Sequence, residues 1–174
     1  NGVPGVGAGS DTGSSIFYQA NVASGTHTVT PQANSVHNST LAEWAGIATS
    51  TPFDVGANAK TNASTFTSQV TGTTATTAQA DELVLIALSL GAAVGVSNVG
   101  FTNPVSGFTS LHVNPDDLTL IATFHAYKVV AATGTQAATF NWTDSETGQY
   151  CGANIATFKA AAAGGDTLMG MACL

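Results

Sequence analysis

The residues best suited to bind a transition metal are the four histidines, His27, His37, His112 and His125. None of them follows a paired ligand spacing such as H-x-H or H-E-x-x-H. Two oxygen-rich segments, 114–117 (NPDD) and 143–146 (TDSE), offer ligands of the kind that Ca²⁺ prefers. Both are more typical of turns stabilised by their own polar side chains. The sequence therefore predicts no metal site and no cofactor.

Catalytic chemistry needs a nucleophile with its base, or two carboxyl groups with tuned pKa values. The chain has many serines but no G-x-S-x-G motif. Glu43, beside Trp44 in a predicted strand, is the most interesting acid. We interpret it as a buried carboxylate that accepts hydrogen bonds from a neighbouring loop. A non-enzymatic protein is therefore expected, and a glycoside-active enzyme is the third alternative.

Aromatic side chains offer a candidate platform for stacking sugars. Its central members are Trp44, Trp142 and Tyr150, and Tyr18 and Tyr127 are further candidates. Aromatic residues make up only 7% of the chain, so a core would need most of them. Candidate N-glycosylation sequons begin at Asn38, Asn62 and Asn141, and they matter only in a compartment that glycosylates.

The spacing of the two cysteines predicts a disulfide between Cys151 and Cys173. The predicted strands 152–159 and 167–172 flank a turn centred on Ala162. In an antiparallel hairpin about that centre the two cysteines lie directly opposite, within the distance that a disulfide tolerates. Two free core thiols or a bond between chains are the alternatives. A disulfide would indicate an oxidising location.

Composition excludes several classes of partner. The 174 residues have 44% hydrophobic but only 7% charged side chains, against roughly 25% charged in typical soluble domains. The net charge is −7 and there are only three Lys or Arg residues, so nucleic-acid binding is not expected. The longest apolar run, 83–96, is shorter than the ~20 residues that span a bilayer. We therefore expect no membrane insertion.

Short apolar or alternating segments separated by Gly, Pro, Asn and Asp predict an all-β fold, an antiparallel two-sheet sandwich of the jelly-roll type. We predict a Gly-rich arm over 1–14 and a single domain over 15–174. Within that domain, 83–90 is apolar on both faces and is predicted to be a central strand. The predicted strands are 15–21, 26–30, 36–44, 64–70, 83–90, 108–112, 118–130, 136–142, 152–159 and 167–172.

Two stretches resemble each other: YQANVASGTHTVT over 18–30 and YKVVAATGTQAAT over 127–139. We interpret each as strand, tight turn and strand, with Gly25 and Gly134 supplying a positive φ. The same hairpin would then be used once in each half of the sandwich. Chance similarity between two Thr-rich segments is the alternative.

Four short motifs carry a resemblance to known proteins: Glu43-Trp44-Ala45-Gly46, Pro52-Phe53-Asp54, Ala80-Asp81-Glu82-Leu83, and Tyr127 with Gly134-Thr135. They resemble a family of uncharacterised β-sandwich domains that occur in phage structural proteins and in secreted bacterial proteins. The resemblance covers roughly residues 15 to 160, and the departures are Ala45 where the family has Ser and Phe53 where it has Leu. It implies a β-sandwich fold and carries no catalytic residues.

Together these features predict a structural or decoration module on a virion surface or an extracellular appendage. Few charges protect the edges of its sheets, so we expect a homo-oligomer or a larger assembly that forms through those edges. We expect the arm to add a strand to a neighbouring copy. A carbohydrate-binding module that recognises surface glycans is the first alternative.

Overall fold

A computed structural model describes residues 2–8, 12–30, 38–63, 66–92, 99–103, 105–115, 121–143, 149–162 and 170–171. This part of the chain contains β-strands and no helix, which confirms the all-β prediction. The strands are β1 (Gly2–Ala8), β2 (Thr12–Phe17), β3 (Glu43–Trp44), β4 (Phe53–Ala63), β5 (Ser68–Val70), β6 (Glu82–Ala92), β7 (Thr109–Asn114), β8 (Ile121–Val130), β9 (Thr139–Asn141), β10 (Gln149–Phe158) and β11 (Gly170–Met171).

Five strands form one antiparallel sheet in the order β4-β10-β6-β8-β7. β6 lies at its centre, and its apolar residues point alternately to two separate clusters of buried side chains. Val84 and Leu88 belong to the larger cluster, whereas Leu83 and Ala87 belong to the smaller one. The prediction that 83–90 is a strand covered on both faces is therefore confirmed.

Different elements cover the two faces of this sheet. The β5–β9 pair contributes Phe140 to the larger cluster, whereas β2 contributes Ile16 to the smaller one. Buried Asn154 of β10 donates from Nδ2 to the Ser14 carbonyl of β2 over 2.7 Å, and the Ser14 hydroxyl donates to the Gly152 carbonyl over 3.1 Å. These hydrogen bonds hold the β1–β2 hairpin against the sheet. With both faces of the sheet covered, the fold is β-sandwich-like.

Segment 71–77 lies beside segment 133–138 in an arrangement that we call the threonine ladder. Each of three threonines donates its backbone N–H to a carbonyl of the other segment, and its hydroxyl accepts the N–H of that same residue, over 2.9–3.1 Å. The threonines are spaced by three residues and are buried, whereas Thr73 and Thr76 between them are exposed. The pairs are Thr71 with Ala138, Thr74 with Gln136 and Thr77 with Gly134.

We expect Thr74→Val to lower the free energy of unfolding by about 1–3 kcal/mol, because the N–H of Gln136 would lose its acceptor in a buried place. Valine keeps the shape of the side chain, so little packing is lost. Thr76→Val is the matched control and should change the stability by less than about 0.5 kcal/mol, since its side chain is exposed. Urea unfolding of both variants measures the difference. Equal stabilities would refute the role of the hydroxyl.

The two similar stretches do not form equivalent hairpins, so that prediction is wrong. Residues 18–30 contain no strand, and most of their side chains are exposed. In the second stretch β8 ends at Val130, the threonine ladder follows, and β9 joins β5 in a different sheet. Gly25 has the expected positive φ of 140°, but Gly134 is not among the residues with positive φ. The similarity reflects shared Thr-rich composition.

The prediction of an arm in the Gly-rich N-terminal segment also needs correction. Residues 2–8, predicted to be part of an arm, form β1 and pair with β2 of the same chain. Backbone pairing needs no apolar side chains, which is why composition alone did not indicate this strand. The predicted strand-adding arm is thus part of its own domain. Of the predicted strand 36–44 the structure has only β3, because 36–37 lie outside the described residues and 38–42 contain no strand.

The hairpin that led to the predicted disulfide is not formed. β10 is paired on both sides, so Cys151 lies opposite Thr61 of β4 and Leu90 of β6. The last described strand, β11, pairs instead with β3. Cys151 is a buried free thiol, and burial raises its pKa far above the usual range. Cys173 lies outside the described residues.

Candidate functional site

Two carboxyl groups meet at one end of the five-stranded sheet. Asp54 lies near the start of β4 and Glu82 begins β6, and β10 runs between them with Thr157. Asp54 Oδ2 accepts the N–H of Ala78 over 2.6 Å, and Glu82 Oε1 accepts the N–H of Gln79 over 3.3 Å. Both carboxyl groups therefore bind the turn that leads into β6.

The protonation of Glu82 is shifted by this environment. Its side chain is fully buried, and its Oε2 has no hydrogen-bond partner within the described part of the chain. Burial is the largest cause that raises the pKa of Glu82, and Asp54 raises it further, while Thr157 and the Gln79 N–H lower it. Its surroundings therefore favour the protonated form of Glu82 more than water does.

The surroundings limit what this carboxyl pair can do. A pocket of about 340 Å³ beside β4 is lined by residues 53–58 and Ala75. Asp54 contributes to its lining, but Glu82 does not. Hydrolysis by two carboxyl groups needs both of them at the substrate. The geometry is better suited to hold a turn and a proton than to act on a bound ligand.

Ionisation of Glu82 is expected to lower the free energy of unfolding as the pH rises, and Glu82→Gln should abolish this effect. Because the pKa of Glu82 in the folded chain lies above its ordinary value of 4.5, the folded state keeps a proton that the unfolded chain releases. Stability from this group is therefore greatest below pH 4.5 and falls as the pH rises through the folded pKa. Urea unfolding at acid and neutral pH measures the difference. The free energy of unfolding of the variant should increase relative to that of the natural protein as the pH rises.

Asp81→Asn is the control for this experiment. Asp81 precedes Glu82, is exposed, and has a φ of 58° that asparagine also adopts. This variant removes a charge without touching the buried carboxyl. A stability difference between Glu82→Gln and the natural protein that stays constant with pH would contradict the shift.

A second cluster brings together two histidines that the sequence did not connect. β7 and β8 are neighbours, and the register places His112 opposite His125 with their ring centroids 5.7 Å apart. The Thr40 hydroxyl lies 2.7 Å from His125 Nδ1. Burial, and then the charge of His112, lower the pKa of His125 to about 4. His27 is exposed and its Nε2 bonds only the Ala23 carbonyl, and His37 lies outside the described residues.

Glu43 does not have the buried environment that we predicted. Its side chain is exposed, because β3 is a two-residue strand whose described partner is β11. Trp44 is half-buried, and its ring packs edge-on against Tyr127 at 4.6 Å. Trp44 therefore supports the fold, and the structure gives Glu43 no partner of the kind we expected.

The predicted sugar platform is not assembled. Trp142 is only 3% exposed and packs against the rings of Phe66 and Phe101 in the larger core cluster. Trp44 packs with the smaller cluster on the opposite face, and Tyr150 is half-buried on β10. The three rings consequently present no common surface.

Of the candidate glycosylation sites, Asn62 and Asn141 are exposed. Asn38 is half-buried, and its Nδ2 donates to the Ile121 carbonyl over 3.3 Å. The Ca²⁺ candidate segments 114–117 and 143–146 lie largely outside the described residues. Among the described residues there is no group of three or more His, Cys, Asp or Glu side chains placed to hold a metal ion.

Four of the motif residues, Trp44, Phe53, Leu83 and Tyr127, belong to the smaller core cluster or pack against it. Tyr127 contacts Trp44, and Gly134 pairs with Thr77 of the ladder. None of the described segments is a helix long and apolar enough to cross a membrane. No protein-family model, no curated protein and no solved structure matches this chain.

Proposed function

We propose that this chain is a non-enzymatic structural module that assembles with copies of itself through the edge of β4. The observation that carries the proposal is the position and length of that strand. β4 has 11 residues and, among the described strands, its one neighbour in the sheet is β10. An unpaired strand edge is a template for another strand.

The other edge of the sheet is less suited to pairing. β7 has only six residues, and a bulge interrupts its register between Ser110 and His112. Short strands and bulges are the usual ways of protecting an edge. β4 has neither feature over 56–63, where its register with β10 is regular.

Open space borders part of the β4 edge. The pocket of about 340 Å³ lies between residues 53–58 and Ala75 of the threonine ladder. A strand added along the side of β4 that does not pair with β10 would bind through backbone N–H and C=O groups.

Charge favours a second copy of the chain as the partner. Asp54 and Lys60 are the only charged residues of β4. An antiparallel, twofold pairing of two β4 strands about Ala57 brings Lys60 of each copy near Asp54 of the other. Such an interface is self-complementary, as twofold interfaces must be.

The setting that we propose is a virion surface or an extracellular appendage, and a jelly-roll arrangement of the sandwich goes with it. The support is the small charged fraction of 7% and the motifs similar to phage and secreted β-sandwich domains. The carbohydrate-binding alternative is not favoured, because burial of Trp142 removes a member of its platform. An enzyme is not favoured either, since the two carboxyl groups do not share a pocket.

Sedimentation velocity over a range of protein concentrations tests the proposal. We expect reversible association, and we expect Lys60→Glu to weaken it by about tenfold, because like charges would then face each other across the interface. Thr109→Glu adds a negative charge to an exposed position on β7, at the opposite edge. This control should associate as the natural protein does.

Two results would overturn the proposal. One is a protein that stays monomeric even at millimolar concentration. The other is weaker association in Thr109→Glu with none lost in Lys60→Glu, which would move the contact to the β7 edge.

A further inference from the structure

His112 and His125 form a pair that neither the carboxyl site nor the β4 edge uses. They lie on adjacent antiparallel strands, and a bulge shifts the register between Ser110 and His112. Bulges redirect side chains at sheet edges. In this case the bulge leaves His112 opposite His125, with an angle of 33° between the two ring planes.

The separation of the rings fits two ligands of one metal ion. A ring nitrogen lies about 2.0–2.1 Å from a bound Zn²⁺, so two imidazoles on one ion have centroids about 5 to 6 Å apart. The observed separation is 5.7 Å. A small adjustment of His112, which is half-exposed on the short edge strand, would bring both nitrogens to the ion.

The hydrogen bond to Thr40 is of the kind that orients metal ligands. A histidine that binds a metal through one ring nitrogen usually donates the N–H of the other nitrogen to a protein oxygen. The Thr40 hydroxyl lies 2.7 Å from Nδ1 of His125 and can accept that proton. This tautomer leaves the lone pair on Nε2, where a metal would bind.

The electrostatic surroundings also favour a cation. Lys128, the nearest lysine along β8, directs its ammonium group over the Phe108 ring at 4.6 Å. Phe108 belongs to the larger core cluster, on the other face of the sheet from His125. The chain as a whole carries a net charge of −7.

We propose that His112 and His125 together bind one divalent transition-metal ion of the class that prefers imidazole, namely Cu²⁺, Ni²⁺ or Zn²⁺. Water completes the coordination, because the described residues offer no third His, Cys, Asp or Glu ligand. Two ligands from neighbouring strands would also hold the β7 edge against β8. This assignment does not depend on the proposed self-assembly.

Isothermal titration calorimetry of the purified chain with Ni²⁺ tests the site. We expect one ion per chain, and His112→Asn should weaken binding by more than about tenfold. His27→Asn is the matched control, because His27 is exposed and makes no contact with the pair. This control should bind as the natural chain does.

The electron paramagnetic resonance spectrum of the Cu²⁺-loaded chain gives a readout that folding alone does not. We expect nitrogen couplings from two imidazoles in the natural chain and in His27→Asn, and from one at most in His112→Asn. Absence of saturable binding, or binding unchanged in His112→Asn, would overturn the proposal. Thermal unfolding of each metal-free variant verifies that it is folded.

Discussion

The free energy of unfolding should fall by about 3 kcal/mol as the pH decreases from 6.5 to about 4, because of His125. In the unfolded chain this imidazole takes up a proton near pH 6.5, whereas burial and then the charge of His112 delay the same step in the folded chain to about pH 4. The unfolded state therefore binds more protons in this range. The contribution is fully present above pH 6.5 and is lost as the pH falls.

His125→Asn isolates this contribution. Asparagine does not titrate, and its amide can still bond the Thr40 hydroxyl that lies 2.7 Å from His125 Nδ1. Urea unfolding in the presence of a chelator should give a flatter stability profile between pH 6.5 and about 4 than the natural protein has. His27→Asn should keep the full acid sensitivity, since its side chain is exposed. A variant as acid-sensitive as the natural chain would contradict the mechanism.

Glu82 has the opposite effect on stability over part of this range. Its raised pKa means that stability falls as the pH rises above 4.5, whereas the contribution of His125 grows over the same interval. The pH profile of the natural protein is therefore the sum of two opposed slopes. Only the single variants separate them, which is why each is compared with a control that leaves the other group in place.

The central part of the sheet could be predicted because its sequence alternates or is apolar throughout. Segment 83–90 lies within β6 and 121–130 is β8, both close to the predicted bounds. In β8 the alternate residues Ala122, Phe124 and Ala126 are fully buried. Hydrophobic burial dominates at these positions, and a period of two in one segment is enough to reveal it.

The edge strand could not be predicted in the same way. β4 reads FDVGANAKTNA, and its alternation is between small and polar residues: Gly56, Asn58 and Lys60 are exposed while Ala57 and Ala59 are half-buried. Edge strands bury little surface, so their apolar signal is weak. The same weakness explains β1, whose pairing depends on the backbone.

The candidate sites were missed because they depend on pairing between distant segments. His112 and His125 meet only through the β7–β8 register, and a bulge between Ser110 and His112 sets that register. Asp54 and Glu82 meet across β10, which comes much later in the chain. Spacing along the sequence carries no direct record of either contact. The alternation of residues in β8 separates His125 from Phe124 on the opposite face, and this is the one signal that the sequence offers.

Phe124→Ala is expected to lower the free energy of unfolding by about 3–5 kcal/mol, the cost of emptying a large buried ring site. Phe124 is fully buried on β8. Its ring packs edge-on against Phe101 at 5.6 Å and against Phe140 of β9 at 5.5 Å. This one side chain thus connects the five-stranded sheet to the elements that cover it, and each aromatic pair adds about 0.5–1.5 kcal/mol beyond burial.

Phe17→Ala is the matched control, because it makes the same change in a side chain that is 78% exposed on β2. Its free energy of unfolding should change by less than about 0.5 kcal/mol. Phe124→Leu should recover much of the loss, since leucine fills most of the cavity. Urea unfolding measures all three variants, and near-ultraviolet circular dichroism reports whether the aromatic packing persists. Similar losses in Phe124→Ala and Phe17→Ala would mean that the two layers are not held together through this ring. A loss confined to Phe124→Ala means that the covering elements depend on contacts with β8, because that substitution leaves every backbone pairing of the sheet in place.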